Sequence, residues 1–278
     1  MEFNILKYGD FLKFLTQLTN FLAHDKAVLV KVTRTSGSVP RDSGSWMAVF
    51  PQCLVGTIGG GHLEFQAVAL AKDILAGRAA LPGPQTVPLG PALGQCCGGV
   101  VGLEYRVVGD ADIASLRQEL RPSLQPVALF GGGHVGHALV NVLSALPFEM
   151  RWIDSRDQVF AQPLPEQVVA EHSDPVHAAV ADLVPGSMVL IMSFSHAEDL
   201  DILAACLTRL RVSADLPYVG LIGSDSKWAR FRHRLEERGF GAEDFARVTT
   251  PIGISGIDSK LPEVIAVSVA AQLLQRSL

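Results

Sequence analysis

The chain has 278 residues, which is enough for one large domain or two domains of ordinary size. Hydrophobic residues make up 48% of it and charged residues 18%, which excludes an intrinsically disordered chain and supplies enough apolar side chains for buried cores. The net charge of −5 lacks the basic surplus on which sequence-independent nucleic-acid binding depends, so we expect no nucleic acid among the partners.

The most apolar stretch, residues 126–148, is as long as a membrane-spanning helix, which needs about 20 residues. It contains three consecutive glycines and two histidines, however, so a buried strand, a glycine turn and a helix explain it better. The first residues include Glu2, Lys7 and Asp10 and no apolar region typical of a secretory signal. We therefore expect a soluble, cytoplasmic protein that does not bind membranes.

The first part of the chain predicts a mixture of helices and strands. Asp10 can cap a helix in which Leu15, Leu18 and Leu22 recur at helical spacing. Runs rich in Val and other strand-forming residues predict strands, and a pattern ending at Gly77 predicts a second helix. The predicted strands are 27–33, 46–50, 53–57, 86–89 and 100–108, and the second helix is 62–76.

The later part of the chain alternates between predicted strands and helices. The strands are 127–131, 150–154, 167–170, 187–193 and 218–223; the helices are 134–146, 175–183, 198–210, 225–237 and 262–275. This alternation is typical of βαβ units and a parallel sheet. We expect an α/β protein with an N-terminal α/β domain over 1–109, a linker over 110–126, and a Rossmann-like domain with a mainly parallel sheet over 127–278. The linker should contain a short amphipathic helix that Pro122 and Pro126 break.

A glycine-rich turn in FGGGHVGHAL is the clearest motif. Gly131, Gly133 and Gly136 match G-x-G-x-x-G between a predicted strand and helix, and Asp154 ends the next strand at the distance that a dinucleotide site requires. Backbone N–H groups at such a helix start can bind a pyrophosphate, with His134 beside the ligand and Asp154 on a ribose. The alternative is that the glycines only let the helix pack closely on the strand.

A second glycine turn lies in GTIGGGHLE. Gly59, Gly60 and Gly61 lead into a helix whose first turn contains His62 and Glu64. The same backbone geometry can bind an anion, and an acidic side chain in the first turn is favoured by the helix dipole. A tight strand-to-helix turn without a ligand explains the sequence equally well.

The four cysteines are too few for a disulfide scaffold, and none has zinc-ligand spacing. Gln95, Cys96 and Cys97 lie in GQCCGG, where the glycines leave room for a large ligand to reach two soft thiols. Cys53 and Cys206 fit predicted secondary structure, where a buried cysteine is ordinary.

Two lysines lie in loops where the ends of parallel strands are expected, one after the fifth predicted strand and one before the last predicted helix. Lys227 lies in LIGSDSK and Lys260 in GIDSK, at the sheet edge where open α/β proteins bind ligands. Each is a candidate for contact with a phosphate, and the alternative for each is a solvated surface lysine.

Seven segments together resemble the XdhC/CoxI family, the accessory proteins of xanthine dehydrogenase and related molybdenum hydroxylases. They are TSGSVPR, GTIGGGHLE, GQCCGG, FGGGHVGHAL, MSFSHAEDL, YVGLIGSDSK and PIGISGIDSKLPEVIAVSVAAQLL, in family order between about residues 10 and 275. The resemblance implies a chaperone that binds molybdenum cofactor, a pterin dithiolene carrying molybdenum and a phosphate. Such a protein holds the cofactor while a separate cysteine desulfurase adds sulfur, then inserts it into the molybdenum subunit of apo xanthine dehydrogenase.

The resemblance also implies roles for residues. Cys96 and Cys97 would contact molybdenum or protect its sulfur, with Cys97 favoured because related members often keep only the second cysteine. The two glycine turns would receive phosphate, and no residue would be catalytic. The high apolar fraction of the chain favours a homodimer. The alternative function is an NAD(P)-dependent oxidoreductase that uses the G-x-G-x-x-G turn and Asp154.

Overall fold

Residues 11–90, 98–120, 123–160 and 163–277 are described by the computed structural model. They form two units, Asp10–Pro122 and Ser123–Leu278, and each unit has its own sheet. In the described residues no helix is both long enough and apolar enough to cross a membrane.

The N-terminal unit contains an antiparallel sheet of five strands with the order β3-β2-β1-β5-β4. Its elements are α1 (Phe11–Leu22), β1 (Ala27–Ser36), β2 (Trp46–Val49), β3 (Leu54–Gly56), α2 (Gly61–Leu75), β4 (Gln85–Pro88), β5 (Val100–Val108) and α3 (Ile113–Glu119). The predicted strands and both helices are therefore present, with bounds that differ by a few residues.

Side chains of β1 are buried on both faces of this sheet. Val28 and Val30 pack with α2 in one hydrophobic cluster, and Leu29 packs with α1 and α3 in another. Leu116 and Leu120 belong to the second cluster and are buried. Residues 110–120, predicted as the first part of a linker, thus fold into the N-terminal unit because these two leucines cover its core.

The C-terminal unit contains a six-stranded, fully parallel sheet with the order β11-β10-β9-β6-β7-β8. Its strands are β6 (Gln125–Phe130), β7 (Phe148–Asp154), β8 (Val168–His172), β9 (Met188–Ile191), β10 (Tyr218–Leu221) and β11 (Val248–Thr249). Its helices are α4 (His134–Leu143), α5 (His196–Val212), α6 (Asp225–Glu236), α7 (Ala242–Phe245) and α8 (Pro262–Ser277). The α/β class with a Rossmann-like C-terminal sheet is confirmed.

Helices cover both faces of the parallel sheet, which is why its strands are continuous apolar runs. One face packs against α5 and α6, and the other against α4 and α8. The predicted helix at 175–183 is instead a 3-10 helix, Val176–Asp182, which packs with α5. The elements β11 and α7 were not predicted, because two and four residues are too short to show a period.

Candidate functional site

The strand order of the C-terminal sheet reverses at β6, which lies between β7 and β9. In open α/β sheets, ligands bind outside the carboxyl ends of the strands at this reversal. Here the turn Gly131–Gly133 follows β6, and the loop Ser193–Ser195 follows β9. These two segments form the candidate site of the C-terminal unit.

The glycines of this turn have different physical roles. A Cβ on Gly131 would lie 2.0 Å from the Met192 carbonyl oxygen, and one on Gly136 would lie 2.1 Å from the Gly131 carbonyl oxygen. The space beside Gly132 is filled by the Val159 side chain, whose Cγ2 would be 2.4 Å from an added Cβ. Only Gly133, among the three consecutive glycines, is exposed and has open space at that position. It is where a ligand can approach the start of α4.

The carboxylate of Asp154 is buried and is fully engaged within the protein. Its Oδ2 accepts a hydrogen bond from the Gly132 N–H at 2.6 Å, and its Oδ1 accepts one from the Arg156 N–H at 2.9 Å. The Arg156 side chain donates to both oxygens. Burial opposes ionisation, but these hydrogen bonds outweigh it and hold the pKa of Asp154 below its ordinary value. A ribose would have to displace Arg156 to reach this carboxylate.

The two histidines of α4 occupy different environments. His134 is exposed at the first position of the helix, beside Gly133. The His137 ring is partly buried and packs edge-on against Trp152, with 4.9 Å between ring centroids. His134 is therefore placed to meet a ligand, whereas the His137 ring packs against the buried Trp152.

Lys227 is buried rather than presented to a ligand. Its Nζ donates to Asp199 Oδ2 at 2.6 Å and to the Ile222 carbonyl oxygen at 2.7 Å. Asp199 also accepts hydrogen bonds from the N–H and hydroxyl of Ser193. The pair joins the loops that follow β9 and β10. Lys260, by contrast, is exposed ahead of α8.

In the N-terminal unit, the second glycine turn is filled by a carboxylate of its own helix. Glu64 is buried, and its Oε2 accepts hydrogen bonds from the N–H groups of Ile58 at 3.0 Å and Gly60 at 3.2 Å. The Thr57 hydroxyl donates to the same oxygen. The Gly59 N–H donates to the Thr57 hydroxyl at 3.1 Å, so two of the glycine donors expected to hold a phosphate, those of Gly59 and Gly60, are already paired.

Of the remaining candidate residues of this unit, the structure describes only His62. His62 is exposed at the start of α2, with its ring 6.5 Å from that of Phe65, which is also exposed. Gln95, Cys96 and Cys97 lie outside the described residues. Within the described ranges, no three His, Cys, Asp or Glu side chains cluster as metal ligands.

Two contributors to the C-terminal site were not predicted: Arg156 and Asp199. Arg156 follows β7, and Asp199 lies in the first turn of α5, the helix that follows β9, so both are on the side of the sheet where the sheet rule predicts ligand contact. Arg156 lies two residues after Asp154, in the segment DSR, and this spacing was the available signal. The pairing of Asp199 with Lys227 joins residues 28 positions apart and leaves no local pattern.

We expect Glu64→Ala to destabilise the N-terminal unit by about 2–3 kcal/mol, because the N–H groups of Ile58 and Gly60 lose their acceptor. The vacated turn should then bind an anion, so inorganic phosphate should raise the thermal midpoint of this variant above that in chloride of equal ionic strength. Wild type and Glu104→Ala, which changes an exposed acid on β5, should respond much less. An equal phosphate shift in all three proteins would show that the turn does not bind the anion.

Comparison with known proteins places both units in one family. The family model described as the XdhC Rossmann domain matches residues 127–273, and the model described as the XdhC and CoxI family matches residues 22–82. The first match alone covers more than half of the chain. Residues 83–126, which include Cys96 and Cys97, lie outside both matches.

Individual proteins that resemble this chain share less than a third of its residues at aligned positions. An uncharacterized protein from Escherichia coli, YqeB, is 28% identical over 258 residues, which span 89% of this chain and 43% of that protein. A solved protein from Bacillus halodurans, described as a xanthine dehydrogenase, aligns over 95% of both chains with a TM-score of 0.73 and 20% identity, which shows a shared fold. A Rossmann-fold NAD(P)-binding family protein from Shigella flexneri covers 53% of this chain and 85% of its own, with 18% identity and a TM-score of 0.36, a likeness too weak to bear on ligands.

Proposed function

Because this chain belongs to the XdhC and CoxI family, whose members are accessory proteins of molybdenum hydroxylases, we propose that it is a chaperone for molybdenum cofactor. It binds the cofactor, holds it while a separate cysteine desulfurase adds sulfur, and inserts it into the molybdenum subunit of apo xanthine dehydrogenase. The observation that carries the proposal is the match of both halves of the chain to family models. We also propose that the protein is a cytoplasmic homodimer and that it acts without catalytic turnover.

The chemistry of this chain suits such a cargo. Thiolates are soft ligands for a metal such as molybdenum, and Cys96 and Cys97 lie among glycines that leave space for a large ligand. In the C-terminal unit, exposed Gly133 gives a phosphate access to the first N–H groups of α4, where the helix dipole favours negative charge. Each unit thus offers groups that suit this cargo: soft thiols for molybdenum or its sulfur in the N-terminal unit, and N–H groups for a phosphate in the C-terminal unit.

The test is anaerobic titration of the full chain with molybdenum cofactor, followed by transfer to apo xanthine dehydrogenase. We expect Cys96→Ala/Cys97→Ala to weaken cofactor retention by at least about tenfold, the value of losing one strong contact. Cys53→Ala is the matched control, because it also removes a partly exposed thiol. Burial, and to a smaller extent the negative charge of Asp25, raise the pKa of Cys53, so it forms a thiolate less readily than an ordinary cysteine. Cys206 is unsuitable, since it is completely buried in the core and burial raises its pKa to about 12.

Retention and transfer by the double variant at the wild-type level would remove the cysteines from the proposal. Failure of the wild type to bind the cofactor would contradict the chaperone function itself. The single variants Cys96→Ala and Cys97→Ala then test the expectation that Cys97 is the more important of the two.

NAD(P)-dependent oxidoreduction is the second candidate, favoured by the G-x-G-x-x-G turn at the strand-order reversal. The engagement of Asp154 with Arg156 weighs against it, because a ribose hydroxyl would have to displace two charged hydrogen bonds. This function predicts saturable binding of NAD(P) that Gly133→Ala weakens. Absence of binding at millimolar NAD(P) would remove it.

A further inference from the structure

Arg156 places a planar group of hydrogen-bond donors against both Asp154 and Phe194. Its Nε donates to Asp154 Oδ1 at 2.9 Å, and its Nη2 donates to Oδ2 at 3.0 Å, so two N–H groups engage one carboxylate side by side. Its Cζ lies 4.4 Å from the centroid of the Phe194 ring. Phe194 is 68% exposed, which is unusual for an aromatic side chain next to a buried carboxylate.

A second carboxylate next to this group is incompletely paired. Glu198 Oε1 accepts a hydrogen bond from the Ser155 hydroxyl at 2.6 Å. Its Oε2 is buried and has no hydrogen-bond partner in the part of the chain that the structure describes. A buried acceptor without a donor is rare in folded proteins and costs stability, so it indicates a partner that arrives in another state.

Glu198 is near enough to interact with Arg156. Hydrogen bonding to Asp154 is the main cause that raises the pKa of Arg156, burial acts in the opposite direction, and the charges of Asp154 and Glu198 raise it further. Both carboxylates therefore attract the guanidinium group electrostatically, and in this structure it is hydrogen-bonded to Asp154.

We propose that Asp154 and Phe194 form a binding site for the 2-amino-4-oxopyrimidine ring that pterins and guanine share, and that Arg156 occupies this site in the free protein. The ring N–H and the 2-amino group of such a ligand lie side by side, as the two engaged N–H groups of Arg156 do. A carboxylate accepts both, which gives the paired, charge-assisted geometry. For a pterin, the inference rests on the proposed function and assigns a contact to that cargo.

The exchange leaves every group paired. The ligand donates two hydrogen bonds to Asp154 in place of Arg156, and its ring stacks on the exposed face of Phe194. The released guanidinium donates to Glu198 Oε2, which has no donor in the free protein. No proton is transferred and the charge of the site does not change, so the exchange only redistributes hydrogen bonds. Glu198 is a positioning residue here, because it acts on the ligand through Arg156.

The ligands for the test are matched pairs that differ in the amino group. In 6-methyllumazine a carbonyl oxygen replaces the 2-amino group of 6-methylpterin, and IMP lacks the 2-amino group of GMP. We expect the full chain to bind at least one amino-bearing ligand at least about tenfold more tightly than its partner, because a carbonyl or hydrogen there loses a charge-assisted donor. Equal binding within both pairs would overturn the proposal.

Variants separate this site from a general effect of charge. Asp154→Asn should weaken binding of the preferred ligand by about tenfold or more, since the amide accepts only one of the two donors. Glu198→Gln can still accept the hydrogen bond from Ser155, and it should weaken binding of the preferred ligand measurably but less than Asp154→Asn does. The affinity for the ligand that lacks the amino group should not change. Asp157→Asn removes an exposed negative charge one residue after Arg156 and is the control. Wild-type affinity in both Asp154→Asn and Glu198→Gln would also overturn the proposal.

The two ligand pairs identify the source of the ring, and cofactor retention separates this inference from the proposed function. Preference for 6-methylpterin indicates the pterin of the cofactor, and preference for GMP indicates a guanine nucleotide. If neither ligand pair shows a preference for the amino group, and wild type and Asp154→Asn retain molybdenum cofactor equally, the inference is overturned and the chaperone function stands. If amino-dependent binding requires Asp154 but no cofactor is retained, the inference stands and the chaperone function fails.

Discussion

Gly131→Ala and Gly136→Ala should each destabilise the C-terminal unit by about 3 kcal/mol or more, whereas Gly133→Ala should leave its stability nearly unchanged. The new methyl groups at 131 and 136 would lie 2.0 and 2.1 Å from backbone oxygens, which cannot move aside as a flexible side chain can. Gly131 also has a φ of 129°, which an alanine rarely adopts. At Gly133 the φ of −81° and the open space suit alanine.

The measurement is urea unfolding followed by tryptophan fluorescence in a Trp46→Phe background. Trp152 and Trp228 then remain, and both lie in the C-terminal unit, so the signal reports that unit alone. The same three variants also separate folding from binding: Gly133→Ala should fold normally and weaken any ligand that approaches the start of α4. Equal stability of Gly131→Ala and Gly133→Ala would show that the turn relaxes and that close packing does not require Gly131.

The parallel sheet was predictable because its signals are local and repeated. Each strand of the C-terminal unit is a short apolar run, and the glycine turn at 131–136 marks the first strand-to-helix connection. The strand order puts this turn at the sheet edge where open α/β proteins bind ligands. The different roles of Gly131 and Gly133 were not predictable, because they depend on Met192, which follows β9, the third strand after β6 along the chain.

The chemistry of individual side chains was less predictable than the fold. Glu64 and Asp154 were both identified as part of a ligand-binding turn, but each accepts backbone N–H groups of its own turn. A carboxylate near a glycine turn can either bind a ligand or accept hydrogen bonds from the backbone N–H groups of the turn, and the same residue types serve both roles. Only the distances between the carboxylate oxygens and the N–H groups distinguish the two roles. Lys227 is a similar case, since a lysine after a parallel strand suits both a phosphate and a buried carboxylate.

The buried pair of Lys227 and Asp199 leads to the other large expected effect. We expect Asp199→Ala to destabilise the C-terminal unit by about 3–5 kcal/mol, because it leaves a buried ammonium group without its charge partner. The N–H and hydroxyl of Ser193 lose their acceptor as well, so the loop after β9 also becomes less ordered. Lys227→Ala should cost less, since Asp199 would keep both Ser193 hydrogen bonds.

The control is an exposed ion pair whose acidic member lies on the same helix as Asp199, α5. Asp201 and Arg238 are joined at 2.7 Å, but their side chains are 41% and 40% exposed, so Asp201→Ala should change stability by no more than about 1 kcal/mol. Combining Asp199→Ala with Lys227→Met should recover part of the loss, because the variant then buries no unpaired charge. Both comparisons use urea unfolding in the Trp46→Phe background. If Asp199→Ala costs no more than Asp201→Ala, the pair does not join the β9 and β10 loops, and Lys227 becomes available again as a phosphate ligand.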